Sequence, residues 1–193
     1  QLSVALGLPK DCIRVNPITI GGDYGGKGSA MDIPIAYFLA LQSGRPVRIV
    51  MDYLEEFTSG NPRHSAVVNL KTGVMMDGTL VAHKAKVIFN SGAYGGFKPT
   101  PGVNLGGASK AGGPYRIPHT DIEAVHVYTN TVPGGFMRAP GEPQTLFASE
   151  SHMDCIASKL QMDPAEFRLK NLINNGDKTS IGTIYKSVRA KET

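Results

Sequence analysis

"SAVVNLKTGVMMDGTLVAHKAKVIFNSGAY", residues 65–94, decides the fold. Apolar and polar residues alternate on both sides of Asp77-Gly78, the strongest short-range hairpin signal, so two antiparallel strands are expected at the middle of the chain. Downstream, "TDIEAVHVYTN" (120–130) alternates in the same way and reads as a further strand. Upstream, "CIRVNPITI" (12–20) alternates at Ile13, Val15, Ile18 and Ile20 and reads as an edge or bent strand because of Pro17, and "PVRIVMDY" (46–53) reads as a short strand. Between them, residues 30–41 keep helical spacing at Met31, Ile35, Phe38, Leu39 and Leu41, with Pro34 in the first turn and Gly44 as the C-terminal cap.

The C-terminal third reads as helical. "EPQTLFASESHMDCIASKL" (142–160) is amphipathic, with Leu146, Met153, Ile156 and Leu160 in one stripe. A second helix starts at "DPAEF" (163–167), where Asp163 caps, Pro164 takes the first position and Glu166 completes a capping box. Beyond Asn174 the tail is polar and is expected to be loosely held, and residues 95–119 read as a long loop. The expected architecture is α+β, a mixed, largely antiparallel sheet with packed helices, in a single domain over 1–193.

A 193-residue chain that is 41% hydrophobic and 19% charged has an ordinary globular composition, which excludes disorder as the default reading. The net charge is +4, but the 20 Lys and Arg never form a block, so nucleic acid is not an expected partner. No apolar run is long enough to span a bilayer, and the first residues lack the pattern of a secretion signal; the cysteine usage fits a reduced, cytoplasmic location, which is expected. Cys12 and Cys155 form no CxxC, so neither a disulfide framework nor a zinc or iron–sulfur site is written here. The 23 glycines fall mainly into three clusters, at 21–28, 92–113 and 134–141, and three clusters in one small chain suggest one shared site.

The first cluster, "GGDYGGKGS" (21–29), approximates the G-x-x-x-x-G-K-[ST] loop of NTPases from Gly21 to Lys27 but carries Gly28 where the magnesium-binding hydroxyl belongs. Asp52, ending "VRIVMD", imitates the aspartate that such a site needs, so a P-loop-like nucleotide binder stays open as an alternative. There is no GxGxxG. Successive bare amides suit an anionic or oxo-bearing ligand, while the plain alternative is a tight structural turn. "PGGFMRAPGEPQ" (133–144) sets Arg138 at a second loop-to-helix junction, where amides and an arginine again suit an anion.

Taken together these stretches resemble the molybdenum-cofactor-binding large subunit of the xanthine dehydrogenase and aldehyde oxidase type hydroxylases. The ordered matches are "LGLPKDCIRV", "GGDYGGKGS", "SGRPVRIVMD", "GNPRH", "DGTLVA", "SGAYG", "GPYRIPH", "TNTVPGGFMRAPGEPQ" and "MDPAEFRLKNLI", with the nearest flavour among bacterial carbon monoxide dehydrogenase or aldehyde dehydrogenase large-subunit homologues. The resemblance implies a domain of the molybdenum-cofactor-binding type. It implies that Gly22, Tyr24, Gly25 and Gly26 lay backbone against molybdopterin, with Tyr24 and Arg138 presenting backbone amides near the molybdenum. A Cβ on Gly25 or Gly26 is expected to push that ligand away.

The reaction it implies is hydroxylation of an electron-poor carbon with water as the oxygen source. Electrons would leave through iron–sulfur clusters and FAD on other domains or subunits, since this chain has no ligands for them. The other implied partners are a second molybdopterin-binding domain and a small-molecule substrate. Purine-oxidising members carry a glutamate, an arginine and a phenylalanine where this chain has Gly28, Gly106 and Pro140, so these three positions are candidate pocket residues and an aldehyde or heteroaromatic substrate is favoured over a purine. "MRAPGE" (137–142) lacks the cysteine of true carbon monoxide dehydrogenases.

The family's proton-abstracting glutamate belongs to the second cofactor-binding domain, so no catalytic residue is assigned here, and Glu142 reads as a helix N-terminal charge. Lys27 reads as a structural ion pair or a cofactor-phosphate partner, and His64 as a brace for backbone. His83, His119, His126 and His152 lack ligand spacing, and Pro99 and Pro101 belong either to a substrate channel or to a plain surface loop. A structural or interaction module without cofactor is the remaining alternative.

Overall fold

The structure, a computed structural model, describes residues 2–16, 18–25, 32–60, 62–94 and 105–192. Its elements are α1 (Leu2–Leu6), α2 (Ile33–Ser43), α3 (Tyr53–Ser59), β1 (Ala66–Val74), β2 (Leu80–Gly92), β3 (His119–Tyr128), α4 (Glu142–Lys159) and α5 (Pro164–Asn171). Short 3-10 turns occupy Lys10–Cys12 and Gly106–Lys110.

The hairpin forms where Asp77-Gly78 places it. Gly78 takes φ +85°, and the Asp77 carboxylate accepts from the Thr79 amide and hydroxyl, both at 3.0 Å. β1 pairs antiparallel with β2, from Ala66 opposite Phe89 to Val74 opposite Leu80. β3 pairs with the other edge of β2 in parallel, His119 beside Ala82 and Tyr128 beside Gly92. The sheet is therefore mixed, with one antiparallel and one parallel pair around a central β2.

β2 shows which face is covered. His83, Ala85, Val87, Phe89 and Ser91 are buried in strict alternation. Lys84 and Lys86 lie on the opposite face, paired with Asp121 (2.7 Å) and Glu123 (3.1 Å) of β3. Two apolar clusters fill the covered side: Leu80, Tyr115, Met153, Ile156, Ala157 and Phe167 at the hairpin end, and Val87, Phe89, Leu105 and Ala108 toward the glycine loops.

α4 packs into the hairpin-end cluster and meets the glycine-loop backbone at its start. Its buried stripe is Thr145, Ser149, Met153, Ile156 and Ala157, with Leu146 only half-buried. The first turns are small and polar because the Thr145 hydroxyl donates to Gly141 C=O (3.0 Å) and Ser149 to Ala111 C=O (2.8 Å), which lets the helix approach backbone. α5 begins at Pro164 with Asp163 accepting from the Ala165 and Glu166 amides; the return bond from Glu166 is not formed. α5 then locks the hairpin. Buried Asn171 accepts from Leu80 N–H (3.0 Å) and donates to Gly78 C=O (2.8 Å) and Phe167 C=O (2.9 Å).

Three expectations are corrected. Residues 13–16 and 18–20 form no strand, and neither do residues 46–50. Among the described residues no strand pairs with them, and Val15, Ile18, Ile20 and Val50 stand exposed. Asp52 does not end a strand. It opens α3 in a reciprocal capping box, accepting from Glu55 N–H while the Glu55 carboxylate accepts from Asp52 N–H, both at 2.8 Å. The structure thus gives Asp52 a helix-capping role in place of the strand-end position expected of a P-loop-like site.

The tail is not loose. Tyr185 C=O accepts from Gly176 N–H, Thr183 C=O accepts from Thr179 N–H, and Lys178 bridges Ile184. Ser180 ties this turn to Ser109 C=O (3.0 Å), and the Thr120 hydroxyl donates to Ser180 C=O (2.8 Å).

α2 ends at Gly44 in the left-handed conformation, as its sequence requires. α2 touches α1 and half-buries Ala36, Tyr37 and Ala40, but Ile35, Phe38, Leu39 and Leu41 are exposed, as are Tyr53, Leu54 and Phe57 on α3. Among the described residues before Gly60, none is buried. Met31 lies outside the described residues.

Candidate functional site

The three glycine clusters meet, and they do so backbone against backbone. Tyr24 (φ +51°) and Gly25 (φ +102°) form a turn in which Asp23 accepts from Gly25 N–H (3.2 Å). Arg138 N–H donates to Tyr24 C=O at 2.7 Å, and the Arg138 guanidinium carbon lies 6.0 Å from the centroid of the Tyr24 ring. A Cβ on Gly25 would come within 2.6 Å of Phe136 O. Gly25 is thus required first by loop-on-loop contact, a nearer obstacle than any ligand.

The same holds at the other two junctions. A Cβ on Gly92 would stand 2.5 Å from Val132 O, and one on Gly107 would stand 2.0 Å from the carbonyl carbon of Gly141. Gly134 N–H donates to Ser91 C=O and Ala93 N–H to Thr131 C=O, which ties the end of β2 to the third cluster. Gly106 has no neighbour within 4 Å of its Cβ position. It sits one residue from the Gly107–Gly141 contact, and Pro140 one residue from it on the other side. Gly22 lies under the Tyr24 ring, where a Cβ would approach Cε2 to 2.5 Å. Gly26, Lys27, Gly28, Pro99 and Pro101 lie outside the described residues.

The Arg138 loop runs into α4 through Ala139 (φ +55°) and Gly141 (φ +82°), with Glu142 in the first helical turn as expected. Residues 62–64 back this loop. Arg63, which the sequence reading passed over, donates from Nη2 to Arg138 C=O (2.9 Å) and from Nη1 to Ala139 C=O (3.4 Å). His64 is buried with its ring filling the space over Gly134, where a Cβ would meet Cδ2 at 2.6 Å. His64 C=O accepts from Gln144 Nε2 (2.7 Å), while the buried Gln144 Oε1 has no hydrogen-bond donor among the described residues.

His83 and His152, without ligand spacing in the sequence, share the Thr72 hydroxyl at 2.9 Å each. Burial holds both imidazoles below the ordinary histidine range; His152 adds like-charge repulsion to His83, and Lys159 adds it to His152. They tie α4 to β1 and β2 as neutral groups. Farther off, Arg168 joins Glu150 (2.9 Å) and Asp154 (2.7 Å), and Glu150 accepts from the Tyr115 hydroxyl. Burial and that carboxylate push the Tyr115 phenol well above its usual range. This cluster fixes α4 to α5.

The donor set decides what the site suits. It offers a left-handed glycine turn, an arginine and a phenol, while the Arg138 amide, expected to face the molybdenum, is spent on Tyr24 C=O and the Gly25 amide on Asp23; no group of three or more His, Cys, Asp or Glu converges among the described residues. A metal here is suited to arrive on an organic ligand, and the Arg138 guanidinium beside the Tyr24 turn suits an anionic one, as the phosphate-bearing molybdopterin is. The residues present therefore fit molybdopterin.

Comparison with known proteins agrees. A family model described as "Molybdopterin cofactor-binding domain" matches residues 1–172. The chain is 38% identical over 172 residues to a probable xanthine dehydrogenase subunit of Bacillus subtilis (strain 168), covering 89% of this chain and 23% of that protein. It is 31% identical over 190 residues to the nicotinate dehydrogenase large molybdopterin subunit of Eubacterium barkeri, covering 97% and 44%. The solved aldehyde oxidoreductase from Desulfovibrio gigas superposes with a TM-score of 0.75 at 34% identity, over 86% of this chain and 18% of that one. The chain thus spans about a quarter to under half the length of these curated relatives.

Proposed function

Since the chain belongs to the family of molybdopterin cofactor-binding domains, we propose that residues 1–193 form one such domain and supply one wall of the active site of a molybdenum hydroxylase. The observation that carries this reading is the 2.7 Å bond from Arg138 N–H to Tyr24 C=O, which joins the two loops the family resemblance assigns to the cofactor. When bound, molybdopterin supplies the metal at which an oxygen from water is transferred to carbon and two electrons are taken up.

This chain's residues bind and orient that group. The Tyr24–Gly25 turn and the Arg138–Gly141 loop present fixed backbone dipoles, which stabilise developing negative charge without reorganising. The Arg138 guanidinium, held over the Tyr24 ring, adds a positive charge on the same side. α4 begins directly behind the loop, so the positive end of its dipole favours an anion there. Gly22, Gly26 and Gly28 complete the glycine loop in this reading, with Gly28, Gly106 and Pro140 lining the substrate side.

The substrate class is an aldehyde or a heteroaromatic ring. Gly106 leaves open space in the stretch where purine-oxidising members carry an arginine, and glycine itself brings no charge there to orient a purine. The proton-abstracting carboxylate, iron–sulfur clusters and FAD come from other domains or subunits of a cytoplasmic assembly. The exposed apolar residues of α2 and α3 form the face on which the second cofactor-binding domain docks. The test is turnover by the assembled enzyme in isotopically labelled water, with aldehydes, N-heteroaromatic acids and purines compared. Solvent label in the product, with the first two classes preferred, supports the reading; a preference for purines overturns the substrate assignment.

A further inference from the structure

Residues 62–64 grip the Arg138 loop at successive points. Gly135 N–H donates to Pro62 C=O (3.1 Å), the His64 ring closes over Gly134, and Gln144 Nε2 reaches His64 C=O. Between these contacts Arg63 spreads its guanidinium across two consecutive carbonyls, those of Arg138 and Ala139. Two donors in a rigid fork fix two successive peptide groups relative to one another in a way that a single ammonium does not.

Ala139 needs such a hold. Its φ of +55° lies in the left-handed region, which costs a non-glycine residue about 1 kcal/mol or more. In a trans peptide the C=O and the following N–H point to opposite sides. Drawing Arg138 C=O toward Arg63 therefore turns Ala139 N–H away from Arg63. The charge-assisted bond also polarises that peptide and strengthens its N–H as a donor. Arg138 N–H is already committed to Tyr24 C=O and Pro140 has none, so Ala139 supplies the amide of this turn that the clamp leaves aimed outward.

We propose that Arg63 is a positioning residue of the cofactor site: by holding the Arg138 and Ala139 carbonyls it aims the Ala139 amide, and keeps Arg138 joined to Tyr24, for the bound ligand. The proposal rests on the cofactor-binding reading above. Arg63 acts only through the loop.

The test uses the assembled, cofactor-loaded enzyme with Arg63→Met and Arg63→Lys. Amide hydrogen exchange over 133–142 reports the clamp without reference to cofactor, and the molybdenum(V) paramagnetic resonance signal reports the environment of the metal. Arg63→Met is expected to speed exchange at Arg138 on the order of tenfold, to shift the resonance signal, and to lower kcat with little change in KM. Arg63→Lys restores charge but not the fork, so it recovers these quantities only in part; where Arg63→Met does not assemble, the lysine variant carries the test. Unchanged exchange and an unchanged signal overturn the proposal. If wild-type protein holds no molybdenum or pterin while Arg63→Met still accelerates exchange, the clamp is upheld as geometry, and its service to a cofactor falls with the cofactor reading.

Discussion

Gly106 and Gly107 are adjacent, yet the structure assigns them opposite sensitivity to a single methyl group. A Cβ at Gly106 meets nothing within 4 Å, whereas one at Gly107 falls 2.0 Å from Gly141 C, 2.2 Å from Gly141 O and 2.5 Å from Glu142 N. Gly107 does not take a positive φ, so its constraint is steric. Contact at 3.4 Å is ordinary, and restoring it means moving one backbone segment by more than ~1 Å.

Neither side yields easily. Gly141 is hemmed in by Phe89 and Leu105, and its carbonyl accepts from the buried Thr145 hydroxyl. Overpacking a core costs ~1–3 kcal/mol where side chains absorb it, and backbone meeting backbone puts Gly107→Ala at or above ~3 kcal/mol. In a domain of this size that lowers Tm by roughly 6–12 °C. Gly106→Ala is expected to change stability by less than ~0.5 kcal/mol. Thermal unfolding of the two variants beside wild type decides the matter. Gly107→Ala melting with wild type, or Gly106→Ala falling as far as Gly107→Ala, refutes the backbone contact on which convergence of the second and third glycine clusters rests.

Three further outcomes follow from other contacts. Asn171→Ala strips three hydrogen bonds and leaves Leu80 N–H and Gly78 C=O without partners, so a loss of ~3 kcal/mol is expected in denaturant unfolding; Asn171→Asp faces acceptors with a carboxylate and is expected to be no better, so wild-type stability in it contradicts the assignment. His83 and His152 have folded pKa values below the unfolded value of 6.5, so the unfolded chain binds more protons and stability falls as pH drops through that value. The slope is at most ~1.4 kcal/mol per pH unit per histidine, less for the partly exposed His152; unfolding midpoints from pH 7.5 to 5.5 are expected to decline in wild type and to flatten in His83→Gln/His152→Gln, and equal slopes would count against the pair. The exposed apolar faces of α2 and α3 predict concentration-dependent self-association of the isolated chain, suppressed by Leu54→Glu with Phe57→Glu; sedimentation showing a monomer throughout the concentration range removes the docking face.

What the sequence disclosed and what it concealed separate by the range of the interaction involved. The hairpin at Asp77-Gly78, the Gly44 end of α2 and the Asp163-Pro164 start of α5 rest on signals within a few residues, and each forms at those residues. Alternation over 12–20 and 46–53 carries the same local appearance, but a strand needs a partner, and among the described residues no strand pairs with these stretches. The polar tail looks loose in sequence because its anchors, Ser109 and Thr120, lie 60 residues or more away. Arg63 and its two carbonyls are 75 and 76 positions apart, and an arginine holding backbone leaves no mark on the residues it holds. The glycines are legible as a pattern but not in their cause: Gly25 and Gly107 are bare because loops touch there.

Metal and pterin analysis tests the central claim most directly, performed on the chain alone and on the chain coexpressed with the rest of its assembly in a host that makes the cofactor. The account predicts near-equimolar molybdenum and pterin in the assembly, lost or sharply reduced when Gly25→Val forces the Tyr24 turn off Phe136. An assembled protein with neither molybdenum nor pterin contradicts it and leaves the glycine loops as scaffolding.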